Sequence, residues 1–290
     1  MQIKKTKGVI VGQTVIHIIM VLACMTVVLP LVLMLIVSFS SESSVLQYGY
    51  SFFPHEWSTA AYEYVFQNDI LQAYLVTIFV TVVGTFLSVL LCCMCAYTLR
   101  TKSCKYRNVI AFYLYFPMLV NAGLIPWYYN ISQTLGLSNN IWVLILPLLI
   151  SSYNIFLIRN YFKTIPESVI ESAEMDGAGH LLVFFRIVMP LSVPIVATIT
   201  LFISLQYWND WYYANWFISS QHQELYPLQY FLFRIQSILT SPNSGVSVAD
   251  APINTAMVAA MFVTIGPIVL VYPFVQKYFI KGIMVGAVKG

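Results

Sequence analysis

The chain has 290 residues, of which 59% are hydrophobic and only 9% are charged. A soluble domain carries about 25% charged residues, so this chain has too few polar side chains to cover a water-facing surface. The composition excludes an ordinary soluble protein and indicates that lipid is the main solvent. The net charge of +3 gives no support for nucleic-acid binding.

Six apolar stretches are candidates for membrane spans, because a helix needs roughly 20 apolar residues to cross a hydrocarbon core of about 30 Å. In chain order they are Ile10–Val37, Ala73–Leu99, Val109–Leu119 with its flanks, Ile141–Ile158, Ile187–Leu205 and Thr255–Phe274. They are longer than barrel strands and do not alternate. Since lipid forces backbone groups to bond within their own segment, the sequence predicts an all-α, polytopic membrane helical bundle with six transmembrane helices.

The basic residues predict the orientation of this bundle. All but Arg234 of the 14 lysines and arginines lie in segments that the six spans would place on one side. By the positive-inside rule that side is the cytoplasm. The N- and C-termini are then both cytoplasmic, which agrees with an even number of spans. The long loops Ser38–Gln72 and Gln206–Asn254 would face outward, the first with a short interfacial helix around Tyr62–Phe66, the second with a helix at Leu225–Leu239 and a turn at Ser241–Gly245.

No metal site is predicted. Cys92, Cys93 and Cys95 contain a C-x-x-C spacing, but they lie inside an apolar span with no second ligand pair, so we interpret them as small hydrophobic residues. The four histidines show no metal-ligand spacing.

The cytoplasmic loop between the fourth and fifth stretches is acidic and predicts a short amphipathic helix. Thr164 and Glu167 fit a capping box around Pro166, and Gly177 and Gly179 would end the helix. The residues predicted to share one face are Ile165, Val169 and Ala173. A helix that lies on a membrane surface is rich in Lys and Arg, so this acidic helix is better suited to docking on a cytoplasmic protein.

The same loop carries a motif with defined spacing. Glu171-Ser172-Ala173 is followed after three residues by Gly177, and after nine more by Ile187 and by Met189-Pro190. This resembles the EAA loop of permease subunits of binding-protein-dependent ABC importers, written EAA-x3-G-x9-I-x-L-P. The departures are Ser172 for Ala and Met189 for Leu.

The resemblance implies a type I ABC importer permease fold, with residues 1–290 as a single transmembrane permease domain and 164–190 as its cytoplasmic coupling loop. The residues implied to couple to an ATPase are Glu171, Ala173, Asp176, Gly177, Ile187 and Pro190. It also implies the partners: a second homologous permease, two cytoplasmic ATPase subunits and an extracytoplasmic solute-binding protein, in a bacterial cytoplasmic membrane. The chain has no phosphate-binding loop. ATP and Mg would therefore bind the ATPase subunits, and this chain would hold no cofactor and would not be an enzyme.

Two further segments are similar to the maltose-type carbohydrate branch. They are the tail Lys281–Gly290 and the segment Tyr207-Trp208-Asn209-Asp210-Trp211. This similarity implies sugar or oligosaccharide import, with Trp208, Asn209, Asp210 and Trp211 as candidates for the substrate path. The aromatic residues in this region also fit an interfacial aromatic belt.

Two other kinds of transporter stay open. One is an ABC permease for a peptide or an amino acid, which the coupling loop alone does not distinguish from a sugar permease. The other is a secondary transporter, which would need an ionisable residue inside a span to couple ions, and no predicted span carries an acid in its middle.

Overall fold

The computed structural model describes residues 7–67, 70–240 and 252–269. These residues are predominantly helical, and their only strand-like pairing is an isolated bridge between Ser40 and Trp57. The α-helices are α1 (Lys7–Ser38), α2 (Glu42–Tyr48), α3 (Ala60–Gln67), α4 (Ile70–Arg100), α5 (Arg107–Leu119), α6 (Leu124–Tyr129), α7 (Ser152–Phe162), α8 (Glu167–Met175), α9 (His180–Leu191), α10 (Val193–Trp208), α11 (Tyr212–Phe217), α12 (Leu228–Thr240) and α13 (Ile253–Val269).

The chain divides into two compact units. One holds the described parts of Met1–Asp69 and Arg234–Ile265, and the other holds Ile70–Phe233 with the described part of Gly266–Gly290.

In the first unit, α1 confirms the first predicted stretch as a helix long enough to cross a membrane. It is apolar all round and its described side chains are mostly exposed, as suits a helix in contact with lipid. The helix predicted near Tyr62–Phe66 is also confirmed as α3. Sequence reasoning missed α2, whose signal is Ser41 at the N-cap: the Ser41 side chain accepts a hydrogen bond from the Ser44 amide at 3.2 Å.

Glu42, the first residue of α2, holds the start of α13 in the same unit. Its carboxylate accepts hydrogen bonds from the backbone N–H groups of Asn254 at 3.1 Å and Thr255 at 2.9 Å. The side chains of the same two residues donate to it at 2.6 and 2.8 Å. One carboxylate therefore satisfies four donors at a helix N-terminus, where negative charge is favoured.

In the second unit, α4 is the central helix, confirmed as a candidate span, and it packs against α7 and α10. Its buried side includes the small residues Gly84, Ser88, Cys92 and Ala96, at helical spacing. Small residues let helices approach closely in lipid. The cysteine interpretation fits this packing, since Cys92 and Cys93 are buried in the core of the unit.

The third predicted stretch is helical but short. α5 has 13 residues, none of them buried, and Pro117 lies in its last turn. A positive φ of 89° at Gly123 then starts the turn into α6.

The fourth predicted stretch, Ile141–Ile158, stays a candidate span, but it is broken and not one continuous helix. Its first part forms two 3₁₀ segments, Ile141–Leu144 and Leu146–Leu148, and α7 follows at an angle of 46°. Pro147 lies in the second segment and Ser151 caps α7. The carbonyl groups at the break find partners on other helices: Tyr207 donates to the Ile145 carbonyl at 3.0 Å, and Ser88 donates to that of Leu149 at 2.7 Å. Broken helices are stable in membranes when neighbouring side chains satisfy such groups.

The fifth predicted stretch, Ile187–Leu205, is also broken. α9 and α10 meet at 86° around Ser192, between Pro190 and Pro194, and α9 includes a π-helical segment at Phe184–Val188. Prolines remove backbone donors and cause such kinks.

The sixth stretch is helical as α13 up to Val269, and its remainder lies outside the described residues. Among the described residues, two helices can cross a membrane alone, and up to four spans form if each bent pair counts as one.

Candidate coupling site

The loop that carries the EAA-like motif forms α8, but its start differs from the prediction. The capping box of Thr164 with Glu167 is wrong, because the Thr164 hydroxyl donates back to the Tyr161 carbonyl at 2.8 Å. Pro166 is the N-cap, and the Glu167 carboxylate instead accepts from Lys102 at 2.5 Å. Thr164 therefore completes the end of α7, and α8 begins two residues later than predicted.

The buried face of α8 is shifted from the predicted one. Ile165 is buried as expected, but Val169 is 40% exposed and Ile170 is buried in its place. Ala173, three residues after Ile170, is partly buried against the same core. The buried face differs from the predicted one because α8 begins at Glu167, after Ile165. The position of Ile165 therefore does not determine which residues of the helix face the core.

Gly177 ends α8 in the left-handed conformation, with φ of 83°. The Gly177 amide bonds the Glu174 carbonyl at 3.0 Å, and the Ala178 amide bonds that of Ala173 at 2.9 Å. This pair of bonds is a Schellman motif, which favours glycine at this position. A Cβ at Gly177 would meet no atom of the described chain within 4 Å, so a side chain here would point into open space.

The end of α4 holds this loop in place, which the sequence did not reveal. Arg100 Nε donates to the Phe162 carbonyl at 2.7 Å, and Arg100 Nη2 donates to that of Ile165 at 2.9 Å. Lys102 pairs with Glu167, and its hydrogen bond lowers the pKa of that carboxyl. The guanidinium fork matches two carbonyls that a lysine could not reach together. In the sequence, Arg100 and Lys102 were visible only as two basic residues after the second predicted stretch, and they indicated the orientation of that span but not these bonds.

The other predicted coupling residues lie along the same segment. Glu171 and Asp176 are exposed, Ile187 is partly buried in the π-helical part of α9, and Pro190 is exposed just before the bend at Ser192. Glu174 lies 3.7 Å from His180, and Met175 is 88% exposed. The helix thus presents carboxylates and two apolar side chains, Val169 and Met175, to its surroundings, as suits a docking surface.

The candidate path residues lie at the end of α10. Asn209 is exposed: its amide nitrogen donates to the Leu205 carbonyl at 2.8 Å, and its oxygen accepts from Gln229 at 3.2 Å. Trp211 stacks on Phe233 with ring centroids 4.3 Å apart. Trp208 is partly buried. These contacts show packing roles for at least two of the four residues.

Asp210 is the residue in this group with an unusual environment. The backbone N–H groups of Tyr212 and Tyr213 bond its carboxyl, while Oδ2 is buried without a hydrogen-bond partner among the described residues. Burial raises its pKa from the usual range to about 6, against the opposing effect of those two amides. Asp210 is therefore a carboxyl that changes charge near neutral pH.

The aromatic residues that follow form one packed cluster. Trp127 of α6 contacts Tyr212, Tyr213 and Phe217 with ring centroids 4.9 to 5.5 Å apart. Aromatic pairs at such distances stabilise packing beyond simple burial. In the described part of the chain no group of three or more His, Cys, Asp or Glu side chains is placed to hold a metal ion.

Comparison with known proteins identifies the family. Residues 10–285 match the family described as binding-protein-dependent transport system inner membrane component. The chain belongs to this family. It is an integral membrane permease subunit of an ABC importer.

Similar proteins cover nearly the whole chain. The polygalacturonan/rhamnogalacturonan transport system permease protein YtcP of Bacillus subtilis (strain 168) is 36% identical over 268 residues, 91% of this chain and 93% of that protein. Protein LplC of the same organism is 36% identical over 267 residues, 91% and 90%. A chain in the crystal structure of a bacterial ABC transporter involved in the import of the acidic polysaccharide alginate matches with a TM-score of 0.82 and 30% identity, covering 94% of this chain and 98% of that one.

Proposed function

We propose that this permease forms half of the translocation path for a sugar or oligosaccharide. The observation that carries the proposal is the likeness along nearly the whole chain to the solved alginate importer and to the polygalacturonan/rhamnogalacturonan permease. Both names refer to polysaccharides, which favours a carbohydrate over a peptide or amino acid. No ionisable side chain is needed inside a span, because ATP hydrolysis would supply the energy.

Six spans with both termini in the cytoplasm are the topology that we propose. α1 and α4 would each span alone, each bent pair would make one span, and α5 and α13 would supply the others. The support is that Arg100, Lys102, Arg107, Arg159 and Lys163 all surround one end of the second unit, next to α8. The positive-inside rule makes that end cytoplasmic. Residues 1–290 would then be one permease domain with 164–190 as its cytoplasmic coupling loop.

α8 would be the coupling element, seated on one of two ATPase subunits that bind ATP and Mg. A second permease and a solute-binding protein would complete the complex. Glu171 and Asp176 would offer charge to an Arg or Lys of the ATPase, Gly177 would allow close approach, and Ala173, Ile187 and Pro190 would shape the loop. The exposed acidic side of α8 and the open space beside Gly177 support this role.

Trp208, Asn209, Asp210 and Trp211 would lie at the outer end of the path. Of these, Asn209 is exposed and Asp210 has an unpartnered oxygen, so these two are the polar groups most able to bind a sugar hydroxyl.

The test is reconstitution of the permease with its companion permease, ATPase and binding protein, followed by a screen of ligands for stimulation of ATP hydrolysis. Neutral and acidic oligosaccharides, oligopeptides and amino acids would be compared at equal concentration. We expect stimulation by an oligosaccharide only. Stimulation by a peptide or an amino acid would overturn the substrate class but not the coupling role.

A further inference from the structure

A cavity of about 840 Å³ lies beside α8 in the second unit. The ends of α4 and α7, the start of α5 and one side of α8 form its walls. Five basic residues line it: Arg100, Lys102, Arg107, Arg159 and Lys163. Three acidic residues line it as well: Glu167, Glu171 and Glu174. The cavity therefore has a surplus of positive charge.

Several of these charges already have partners. Arg100 bonds two backbone carbonyls, and Lys102 pairs with Glu167. Glu174 lies near His180. Glu171 is the one carboxylate of the lining left outside these pairs, so the charges that remain are mostly positive.

The remaining cations are Arg107, Arg159 and Lys163. None of them takes part in an ion pair within the described residues. Arg159 Nε is buried and has no hydrogen-bond partner in the described part of the chain. A buried guanidinium N–H without an acceptor is costly, and an anionic oxygen would remove that cost. Arginine forks are well matched to phosphate.

An exposed apolar surface starts where the basic cavity ends. α5 begins at Arg107, and its side chains Val109, Phe112 and Tyr113 are 65%, 67% and 75% exposed. A ligand with an anionic head and apolar chains matches this succession of surfaces. Basic pockets between transmembrane helices on the cytoplasmic side are suited to lipid headgroups.

We propose that the cavity binds the phosphate headgroup of an anionic phospholipid of the cytoplasmic leaflet, with Arg107, Arg159 and Lys163 around the phosphate and the acyl chains along α5. This rests on the proposed topology, which makes this end of the second unit cytoplasmic. Ser172 and Met175 of α8 lie outside the lining of the cavity and stay accessible to an ATPase subunit. Glu171, which we also propose as an ATPase contact, belongs to the lining, so the lipid would brace α8 beside that contact.

The test compares the complete importer in vesicles of phosphatidylcholine alone and of phosphatidylcholine with phosphatidylglycerol. Bound lipid would be counted by native mass spectrometry, and ATPase activity would be measured with saturating binding protein and ligand. Arg159→Gln and Lys163→Gln would be made singly and together. Lys105→Gln is the matched control. Lys105 lies in the same basic segment as Lys102 and Arg107, but unlike them it does not line the cavity.

For the wild type and Lys105→Gln, we expect bound phosphatidylglycerol and higher ATPase activity in the mixed vesicles. Each substitution in the cavity should weaken phosphatidylglycerol binding about five-fold, with activity in phosphatidylcholine unchanged. Lys163 is exposed, so its single variant keeps the test valid if Arg159→Gln does not fold.

Three results would overturn the proposal. One is equal binding of phosphatidylglycerol by the cavity variants and the wild type. Another is full stimulation of the importer in phosphatidylcholine by inorganic phosphate, which would make this a site for a free anion. The third is loss of the ATPase subunit from the cavity variants in both lipid mixtures, which would make the cavity a protein-docking site. A wild-type complex inactive in every lipid would instead contradict the proposed function.

Discussion

Gly84 of α4 lies against the ring of Tyr207 of α10, so closely that a Cβ at Gly84 would stand 2.6 Å from Tyr207 Cζ. The Tyr207 hydroxyl in turn donates to the Ile145 carbonyl at the break before α7. Glycine at position 84 thus lets one aromatic side chain join α4, α10 and the broken segment. A side chain at position 84 would therefore press on a ring that also holds a buried hydrogen bond.

The first prediction concerns this contact. Gly84→Ala should destabilise the permease by about 1–3 kcal/mol, because overpacking forces neighbouring side chains off their preferred positions. Thermal unfolding of the purified complex in detergent would measure the loss. Gly12→Ala in α1 is the control, since a Cβ there meets no atom within 4 Å. Equal melting temperatures for the two variants would show that Tyr207 moves freely and that the contact does not matter.

The second prediction concerns Glu42, whose carboxylate accepts four hydrogen bonds at the start of α13. Glu42→Gln places an amide donor against these donors and removes the charge. We expect a loss of about 1.5–3 kcal/mol, the range for hydrogen bonds to charged groups. Glu63→Gln, which affects one exposed contact with Thr59, is the control and should be near neutral. Stability equal to the wild type in thermal unfolding of Glu42→Gln would contradict the capping role.

The third prediction is the pH dependence of Asp210, whose pKa is raised to about 6. Between the ordinary pKa of the unfolded chain and this value, the folded state holds a proton that the unfolded state has lost. Stability from this group is therefore complete below about pH 4 and is lost as the pH rises through about 6.

Asp210→Asn keeps an acceptor for the amides of Tyr212 and Tyr213 but cannot ionise. At pH 7 it should be more stable than the wild type by at most about 3 kcal/mol, since each pKa unit corresponds to 1.36 kcal/mol. The difference should vanish near pH 4. Asp210→Ala, which also loses the acceptor, should be less stable than Asp210→Asn at both pH values. A constant difference between Asp210→Asn and the wild type from pH 4 to 7 would show that Asp210 has an ordinary pKa.

The fourth prediction concerns Arg100, which joins the end of α4 to the loop before α8. Arg100→Lys keeps the charge, but one ammonium group cannot hold both the Phe162 and Ile165 carbonyls in the geometry of the guanidinium fork. The complex should still contain the ATPase subunits, while fewer solute molecules are transported per ATP hydrolysed. Arg107→Lys is the control, because Arg107 has no side-chain bond within the described residues. An unchanged ratio of transport to ATP hydrolysis in Arg100→Lys would show that α4 does not follow the coupling helix.

The sequence predicted some elements well, because local properties decide them. α1 and α4 follow from the length of their apolar runs, and the end of α8 at Gly177 follows from the preference for glycine just after a helix. Both features depend on residues within a few positions, so pattern and turn chemistry are sufficient.

The breaks in the fourth and fifth stretches could not be predicted in the same way. Mean hydropathy is the same for a straight and a broken apolar segment, and Pro147, Pro190 and Pro194 indicated only that kinks were possible. The break near Ile145 is stable because Ser88 and Tyr207 supply partners from about 60 residues away in either direction. The bonds of Arg100 are equally long-range, so only the folded chain reveals them.

The central claim is that α8 couples this permease to an ATPase, and substitutions at its exposed end test it most directly. Gly177→Arg would place a long side chain in the space beside α8, where it meets no atom of its own chain within 4 Å. The positive φ costs about 1 kcal/mol for a non-glycine residue, so the permease itself should still fold. Glu171→Lys reverses an exposed charge and leaves the turn intact.

Gly136→Arg is the matched control, because Gly136 has a φ of 61° and equal open space but lies between the third and fourth predicted stretches, on the side proposed to face outward. The decisive measurement is the amount of ATPase subunit that co-purifies with each variant from membranes containing normal permease levels. Our account predicts wild-type recovery for Gly136→Arg and loss of the ATPase or of solute uptake for Gly177→Arg and Glu171→Lys, with Gly177→Ala milder. Full ATPase recovery and full uptake in both Gly177→Arg and Glu171→Lys would contradict it.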